Sequence, residues 1–155
     1  WITSDHLDQM LVQQEKDAAQ HVKNICGVVR LSKAQWSDDA FPPGDRSLYG
    51  DGGGNKVTTP FRAQGTSGPS FQWKRPKQLG GSWSVITDSL QPQDVVQGRL
   101  GDCWFLSALS VLADRPHLID RILLTKQYNP EGAYAVRFFY DGEWKRVIVD
   151  DMFPS

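Results

Sequence analysis

One glycine-punctuated segment limits most strongly what this chain can fold into: residues 97–109, which read Q-G-R-L-G-D-C-W-F-L-S-A-L. Glycine tolerates backbone angles that other residues resist, so Gly98 and Gly101 suit a tight turn that leads into the apolar run behind them. Cys103 then falls on the first turn of a predicted helix, where unpaired N–H groups and the positive end of the helix dipole stabilise a thiolate. Because the thiolate is the nucleophilic form of cysteine, the segment predicts a reactive thiol.

A second interpretation of Cys103 is a core thiol on an amphipathic helix, because free cysteines are most often buried and inert. Two neighbours favour the reactive interpretation. Asp102 puts a charge directly beside the thiol, which is unusual in a core. Gln97, six residues upstream of the cysteine, carries a side-chain amide that suits donation to an oxyanion beside the sulfur.

Residues 103–113 predict the central helix of the fold, with Asp102 as its N-cap. Its side chains are almost wholly apolar, so the pattern predicts a helix buried on most sides. Trp104 has two interpretations, a core side chain, which is favoured, or one wall of an active-site entrance. Arg115 and Pro116 end the helix, and proline suits the first turn of a second helix through about residue 124.

An antiparallel hairpin follows these helices. Residues 133–140 alternate in the manner of a strand, with the aromatic and apolar side chains of Tyr134, Val136, Phe138 and Tyr140 on one face. Asp-Gly at 141–142 is a strong hairpin turn signal, and residues 143–149 return. The predicted fold class is therefore α+β, with a helical body, a small antiparallel hairpin sheet and long N-terminal loops.

The first 40 residues predict an amphipathic helix and a linker. Ser4 is a suitable N-cap and Gly27 a suitable end. Apolar residues recur between them at helical spacing: Leu7, Met10, Leu11, Ala18, Val22 and Ile25. This apolar stripe is expected to dock either on the rest of the chain or on another part of a longer protein.

Residues 41–81 predict mostly loop, because glycine and proline interrupt every periodicity. The cluster G-D-G-G-G-N at 50–55 lacks the Gly-Lys-Ser/Thr ending of a phosphate loop. It also lacks the spaced acidic ligands of a calcium loop. Trp73 and Trp83 are expected to anchor the later part of this segment by packing.

Composition excludes several classes of function. The formal net charge of −1 and the pI near 6.3 leave no basic footprint, which argues against nucleic acid as the main partner. No apolar run approaches membrane-spanning length, so membrane contact is expected only through other parts of a longer protein. Two distant cysteines suit a reducing, cytoplasmic compartment rather than a disulfide framework. A start without methionine and an end just after a strand suggest an expressed fragment.

The segment at 97–109 resembles the nucleophile segment of the calpain family of cysteine proteases. The similarity continues in order along the chain, with F-P-P at 41–43, W-K-R-P at 73–76, G-E-W at 142–144 and V-D-D-M-F-P at 149–154. It is closer to plant-type or small-optic-lobes-type members than to the conventional mammalian ones. The resemblance implies that residues 41–155 form the first subdomain of a papain-like protease core, and that the second subdomain lies outside this chain.

The resemblance also implies catalytic roles for two residues. Cys103 would attack the peptide carbonyl, and Gln97, with the Cys103 backbone N–H, would hold the oxyanion. None of His6, His21 and His117 stands in a stretch similar to the family's catalytic histidine segment. The base is therefore expected on the second subdomain, and this chain alone is expected to be inactive.

A calcium ion is the cofactor that the resemblance implies. The matching ligands are the carbonyls of Thr87 and Ser89 and the carboxylate of Asp94, since calcium prefers oxygen ligands. Asp94 has an equally good interpretation as a helix or turn cap. Two other functions stay open: a different papain-like cysteine acyl-transfer enzyme, and a non-catalytic calpain-like interaction module.

Overall fold

A computed structural model describes residues 4–49, 72–86, 90–96 and 103–155 of the 155-residue chain. The described part contains five helices and four strands, in the order α1 Ser4–Leu31, α2 Asp45–Tyr49, β1 Trp73–Lys74, α3 Pro76–Leu79, α4 Cys103–Ala113, α5 Pro116–Ile122, β2 Ala133–Tyr140, β3 Glu143–Asp150 and β4 Phe153–Pro154. A short 3₁₀ turn, Pro92–Asp94, precedes α4. None of the helices in this part of the chain combines the length and hydropathy needed to cross a bilayer.

Helix α1 is the predicted amphipathic helix, and its apolar stripe packs on the hairpin. Its buried residues are Leu11, Ala18, Val22 and Cys26, and the last three join Ala133 and Ala135 of β2 in one core cluster. Small alanine side chains on the strand let the helix approach closely. The stripe was expected to dock on the rest of the chain or on another part of a longer protein. In the structure it packs on the hairpin of the same chain.

The predicted end of α1 at Gly27 is wrong, because the helix continues to Leu31. A glycine inside a helix costs about 1 kcal/mol, and contacts on both sides of it offset that cost. Cys26 is buried, and Arg30 Nε lies 2.7 Å from Glu131 Oε1. A turn follows the helix at Lys33, whose φ is 53° and whose N–H donates to the Arg30 carbonyl at 3.2 Å.

Strands β2 and β3 form the predicted hairpin. Tyr140 pairs with Glu143, and the two-residue turn between them has φ values of 54° at Asp141 and 77° at Gly142. Two positive φ values characterise the turn type whose twist matches the strands. The sequence signal and the geometry therefore agree.

The two faces of β2 contact different helices. Ala133, Ala135 and Arg137 are buried on the face toward α1. The opposite face carries Phe138, whose ring lies 6.4 Å from the ring of Phe105 in α4. The hairpin thus lies between the N-terminal helix and the helix that begins at Cys103.

Helix α4 spans the predicted residues, but the prediction that it is buried on most sides is wrong. Only Ala113 is buried, whereas Trp104 is 75% exposed and Val111 is 68% exposed. Within the described residues, α4 contacts the 3₁₀ turn, α5 and β2, and these neighbours cover one side. An apolar sequence indicates that a helix is stabilised by burial, but it does not show which elements bury it or on how many sides.

A second sheet joins residues far apart in sequence. Trp73 pairs with Pro154 and Lys74 with Phe153. Beside this sheet the guanidinium of Arg75 pairs with the buried carboxylate of Asp151 and donates to the Trp36 carbonyl at 2.7 Å. Gly132 closes the cluster with a φ of 78°, and a Cβ there would lie 2.7 Å from Asp151 Oδ1. Glycine is therefore required at that position for both conformation and space.

Candidate active site

Cys103 is the first residue of α4, and its side chain is exposed. The first-turn N–H groups of a helix have no intrahelical acceptor, and the dipole adds partial positive charge at this end. Cys103 therefore belongs to the turn that carries these N–H groups. The first turn is also held by Ser107, whose hydroxyl donates to the Cys103 carbonyl at 2.7 Å. The exposed position contradicts the interpretation of Cys103 as a core thiol.

Cys26 provides the contrast within the same chain. It is buried in the cluster between α1 and β2, and its sulfur lies 3.7 Å from Asn129 Oδ1. Burial, followed by the nearby charge of Glu131, raises the pKa of the Cys26 thiol. The protonated form is a poor nucleophile, so Cys26 has the properties of a structural thiol.

The three histidines are exposed and lie on other elements. His6 and His21 belong to α1, which covers the face of β2 opposite to the Phe138 face. His117 is the second residue of α5, which follows the C-terminal end of α4. An 11-residue helix is roughly 16 Å long. The fold therefore separates Cys103 from His117 by about the length of α4.

Trp104 does not take the core position that composition favours. Its side chain is 75% exposed, and its ring lies 5.7 Å from the ring of Phe105. The aromatic pair directly follows Cys103 in the sequence. Phe105 itself was not singled out by the sequence pattern, because every position of this helix is apolar or small.

Of the remaining predicted site residues, only Asp94 lies in the described part of the chain; Gln97, Thr87 and Ser89 lie outside it. Asp94 ends the 3₁₀ turn, and its Oδ2 accepts the Gln91 N–H at 2.9 Å. This is the capping role that the sequence left open. The turn that Asp94 ends contacts α4.

The described residues do not by themselves assemble an acidic metal site. Across residues 4–49, 72–86, 90–96 and 103–155, no group of three or more His, Cys, Asp or Glu side chains is arranged to hold a metal ion. Calcium sites need six to eight oxygen ligands. Asp94 can offer one oxygen, so carbonyls such as those of Thr87 and Ser89 would have to supply others.

Comparison with known proteins places this arrangement in a family. The family sequence model that is described as calpain family cysteine protease matches residues 36–155 of this chain. The chain belongs to the calpain family. The matched residues include strands β1 to β4 and helix α4. Helix α1 ends before the first matched residue.

Plant calpains are among the similar proteins. The calpain-type cysteine protease DEK1 of Zea mays is 35% identical over 158 residues, covering 98% of this chain and 7% of the plant protein. The protein of the same name from Arabidopsis thaliana is 42% identical over 126 residues, covering 77% and 5%. The human calpain-1 catalytic subunit is 37% identical over 122 residues, covering 76% and 16%. This chain spans less than a tenth of the length of the plant relatives.

Proposed function

We propose that this chain is the nucleophile-bearing half of a calpain-type cysteine endopeptidase. The observation that carries the proposal is the exposed position of Cys103 at the first residue of α4. A thiol there is accessible to a peptide and is next to unpaired backbone N–H groups. Membership of a cysteine protease family supports peptide hydrolysis as the reaction.

In the proposed reaction the Cys103 thiolate attacks a peptide carbonyl carbon. A sulfur–carbon bond forms, and the carbonyl oxygen becomes an oxyanion that Gln97 and the Cys103 N–H stabilise. Removal of one such donor costs about 3–4 kcal/mol in comparable sites. The oxyanion collapses, the carbon–nitrogen bond breaks, and the departing amine takes a proton. Water then hydrolyses the thioester and releases the second product.

The proton on the departing amine must come from the protonated form of a base that lies outside this chain and that takes the Cys103 thiol proton before the attack. The resemblance to calpains assigns it to a histidine, oriented by an asparagine, on a second protease-core subdomain. That subdomain is the proposed partner, and it would complete the site opposite Cys103. Protein substrates, which the protease family supports, and a cytoplasmic location are further parts of this proposal. Any membrane association would come from other parts of a longer protein.

The isolated 155 residues are expected to show no turnover of a fluorogenic peptide, because an unassisted thiol cannot protonate the departing amine efficiently. Fusion to the second subdomain of a plant relative is expected to create hydrolysis. The assay compares both proteins at equal concentration, with and without calcium. Turnover by the isolated chain that depends on Cys103 would contradict the proposed division of the site.

Calcium is the proposed cofactor, with the Asp94 carboxylate and the carbonyls of Thr87 and Ser89 as ligands. Its role would be to hold the segment before α4 in place, because the 3₁₀ turn of Asp94 contacts that helix. No step of the hydrolysis passes through the ion.

Asp94→Ala is expected to lower calcium affinity, since it removes the carboxylate of the proposed set. Isothermal titration calorimetry of the isolated chain measures the effect directly. The turn cap is lost in the same variant, so Asp94→Asn is the matched control: it retains an oxygen for the Gln91 N–H but removes the charge. Equal calcium binding in the wild type and both variants would exclude the site.

A further inference from the structure

The contact between α4 and the hairpin lies close to the proposed nucleophile. The Phe138 ring of β2 meets the Phe105 ring of α4 at a centroid separation of 6.4 Å and an interplanar angle of 60°. An edge-to-face arrangement in this range is favourable for aromatic rings. Phe105 is two residues after Cys103, so this contact reaches the first turn of the helix.

The C-terminal end of α4 is held by burial and by the helix that follows it. Its one buried residue is Ala113, the last of the helix, and α5 follows two residues later. Trp104 and Val111 are largely exposed. In the half of α4 that begins at Cys103, the contact of the Phe105 ring with Phe138 joins the helix to the hairpin.

We propose that Phe138 is a positioning residue for Cys103, acting through Phe105. Helix ends fray unless they are held, and a frayed first turn no longer aims its N–H groups and dipole at the sulfur. Phe138 thus keeps the turn that carries Cys103 in its helical conformation. The inference rests on the proposed function, because it concerns the same nucleophile.

Alkylation by iodoacetamide tests this role in the 155-residue chain. The two cysteines are resolved by mass spectrometry of the digest, so each has its own rate. Phe138→Ala is expected to slow labelling of Cys103 by about two- to fivefold, which corresponds to loss of a helix-terminus interaction of roughly 0.3–1 kcal/mol. Cys26 serves as an internal control, because it is buried and reacts only when the fold opens.

Phe139→Ala is the matched control. Phe139 is the next residue of β2, points to the other face, and packs on Trp144 with ring centroids 5.4 Å apart. Its loss is expected to leave the Cys103 rate unchanged. Phe138→Tyr keeps the ring and is expected to retain the wild-type rate. Where Phe138→Ala is unfolded by circular dichroism, Phe138→Leu replaces it and is expected to show the same slower labelling.

The outcomes separate positioning from simple destabilisation. Slower Cys103 labelling with unchanged Cys26 labelling supports the role of Phe138. An unchanged Cys103 rate, an equal fall in Phe139→Ala, or a change that tracks faster Cys26 labelling overturns it. The proposed function fails by a different measurement, when the fused protein hydrolyses peptides without Cys103.

Discussion

Cys103→Ala is expected to abolish peptide hydrolysis in a protein that joins this chain to a histidine-bearing second subdomain. Removal of a catalytic nucleophile from a hydrolase lowers kcat by a factor on the order of 10⁴ to 10⁶. Cys103 is an exposed thiol at the first residue of a helix, and Cys26 is a buried one. The measurement is kcat for a fluorogenic peptide, with active enzyme counted by alkylation of Cys103 in the parent protein.

Cys26→Ala is the matched control for this prediction. It removes the other thiol of the chain at a buried position, and the cost is expected to be about 1 kcal/mol of unfolding free energy. Assayed well below the melting temperature, this variant is expected to keep the parental kcat. Hydrolysis that survives Cys103→Ala would remove the residue from the reaction.

Arg137→Met is expected to lower the free energy of unfolding by about 2–5 kcal/mol, because it removes two hydrogen bonds that a charged, buried donor makes to backbone carbonyls. Arg137 is 0% exposed. It donates to the Leu11 carbonyl of α1 at 3.0 Å and to the Arg121 carbonyl of α5 at 2.9 Å. Methionine retains apolar volume but offers no donor.

The ionic contact of Arg137 contributes less to this expected loss. Its partner Glu15 lies 3.5 Å away and is half exposed, so water can solvate that carboxylate when the arginine is removed. Burial lowers the pKa of Arg137, yet a guanidinium stays charged in proteins. The guanidinium also lies 5.4 Å from the centre of the Trp144 ring, a contact that methionine partly replaces.

Arg146→Met is the matched control for Arg137→Met. Arg146 is directly opposite Arg137 in the hairpin but is exposed, so its loss is expected to change stability by no more than about 0.5 kcal/mol. Urea unfolding followed by circular dichroism gives both values. Similar midpoints for the two variants would show that the buried hydrogen bonds of Arg137 contribute little.

Local patterns were sufficient for the positions of the main elements. The apolar run after Gly101 predicted α4 from its first residue at Cys103 to its last at Ala113, and alternation with Asp-Gly predicted the hairpin. These signals work because capping, turn conformation and strand alternation depend on neighbouring residues. The end of α1 was predicted wrongly because it depends on a contact between residues that are distant in sequence. Its last turn is held by Glu131, about a hundred residues away in sequence.

The candidate site was predicted only in part. Cys103 was predicted because a cysteine that follows closely spaced glycines and starts an apolar run has a chemical signature of its own, and its catalytic role stays a prediction. Its exposure was not decided by sequence, since the same apolar helix is compatible with a core position. Phe138 was visible as one member of an alternating strand, but its contact with Phe105 required the packing of β2 on α4.

The sequence by itself determined a thiol at a helix start, an amphipathic N-terminal helix, a tight hairpin and the calpain family. Only the tertiary structure decided that Arg137 is buried between α1 and α5, that Asp151 pairs with Arg75, and that α4 leaves Trp104 exposed. The physical reason is the sequence separation over which each kind of interaction acts. Backbone conformation responds to residues a few positions away, whereas burial and charge pairing depend on which distant segments the fold brings into contact.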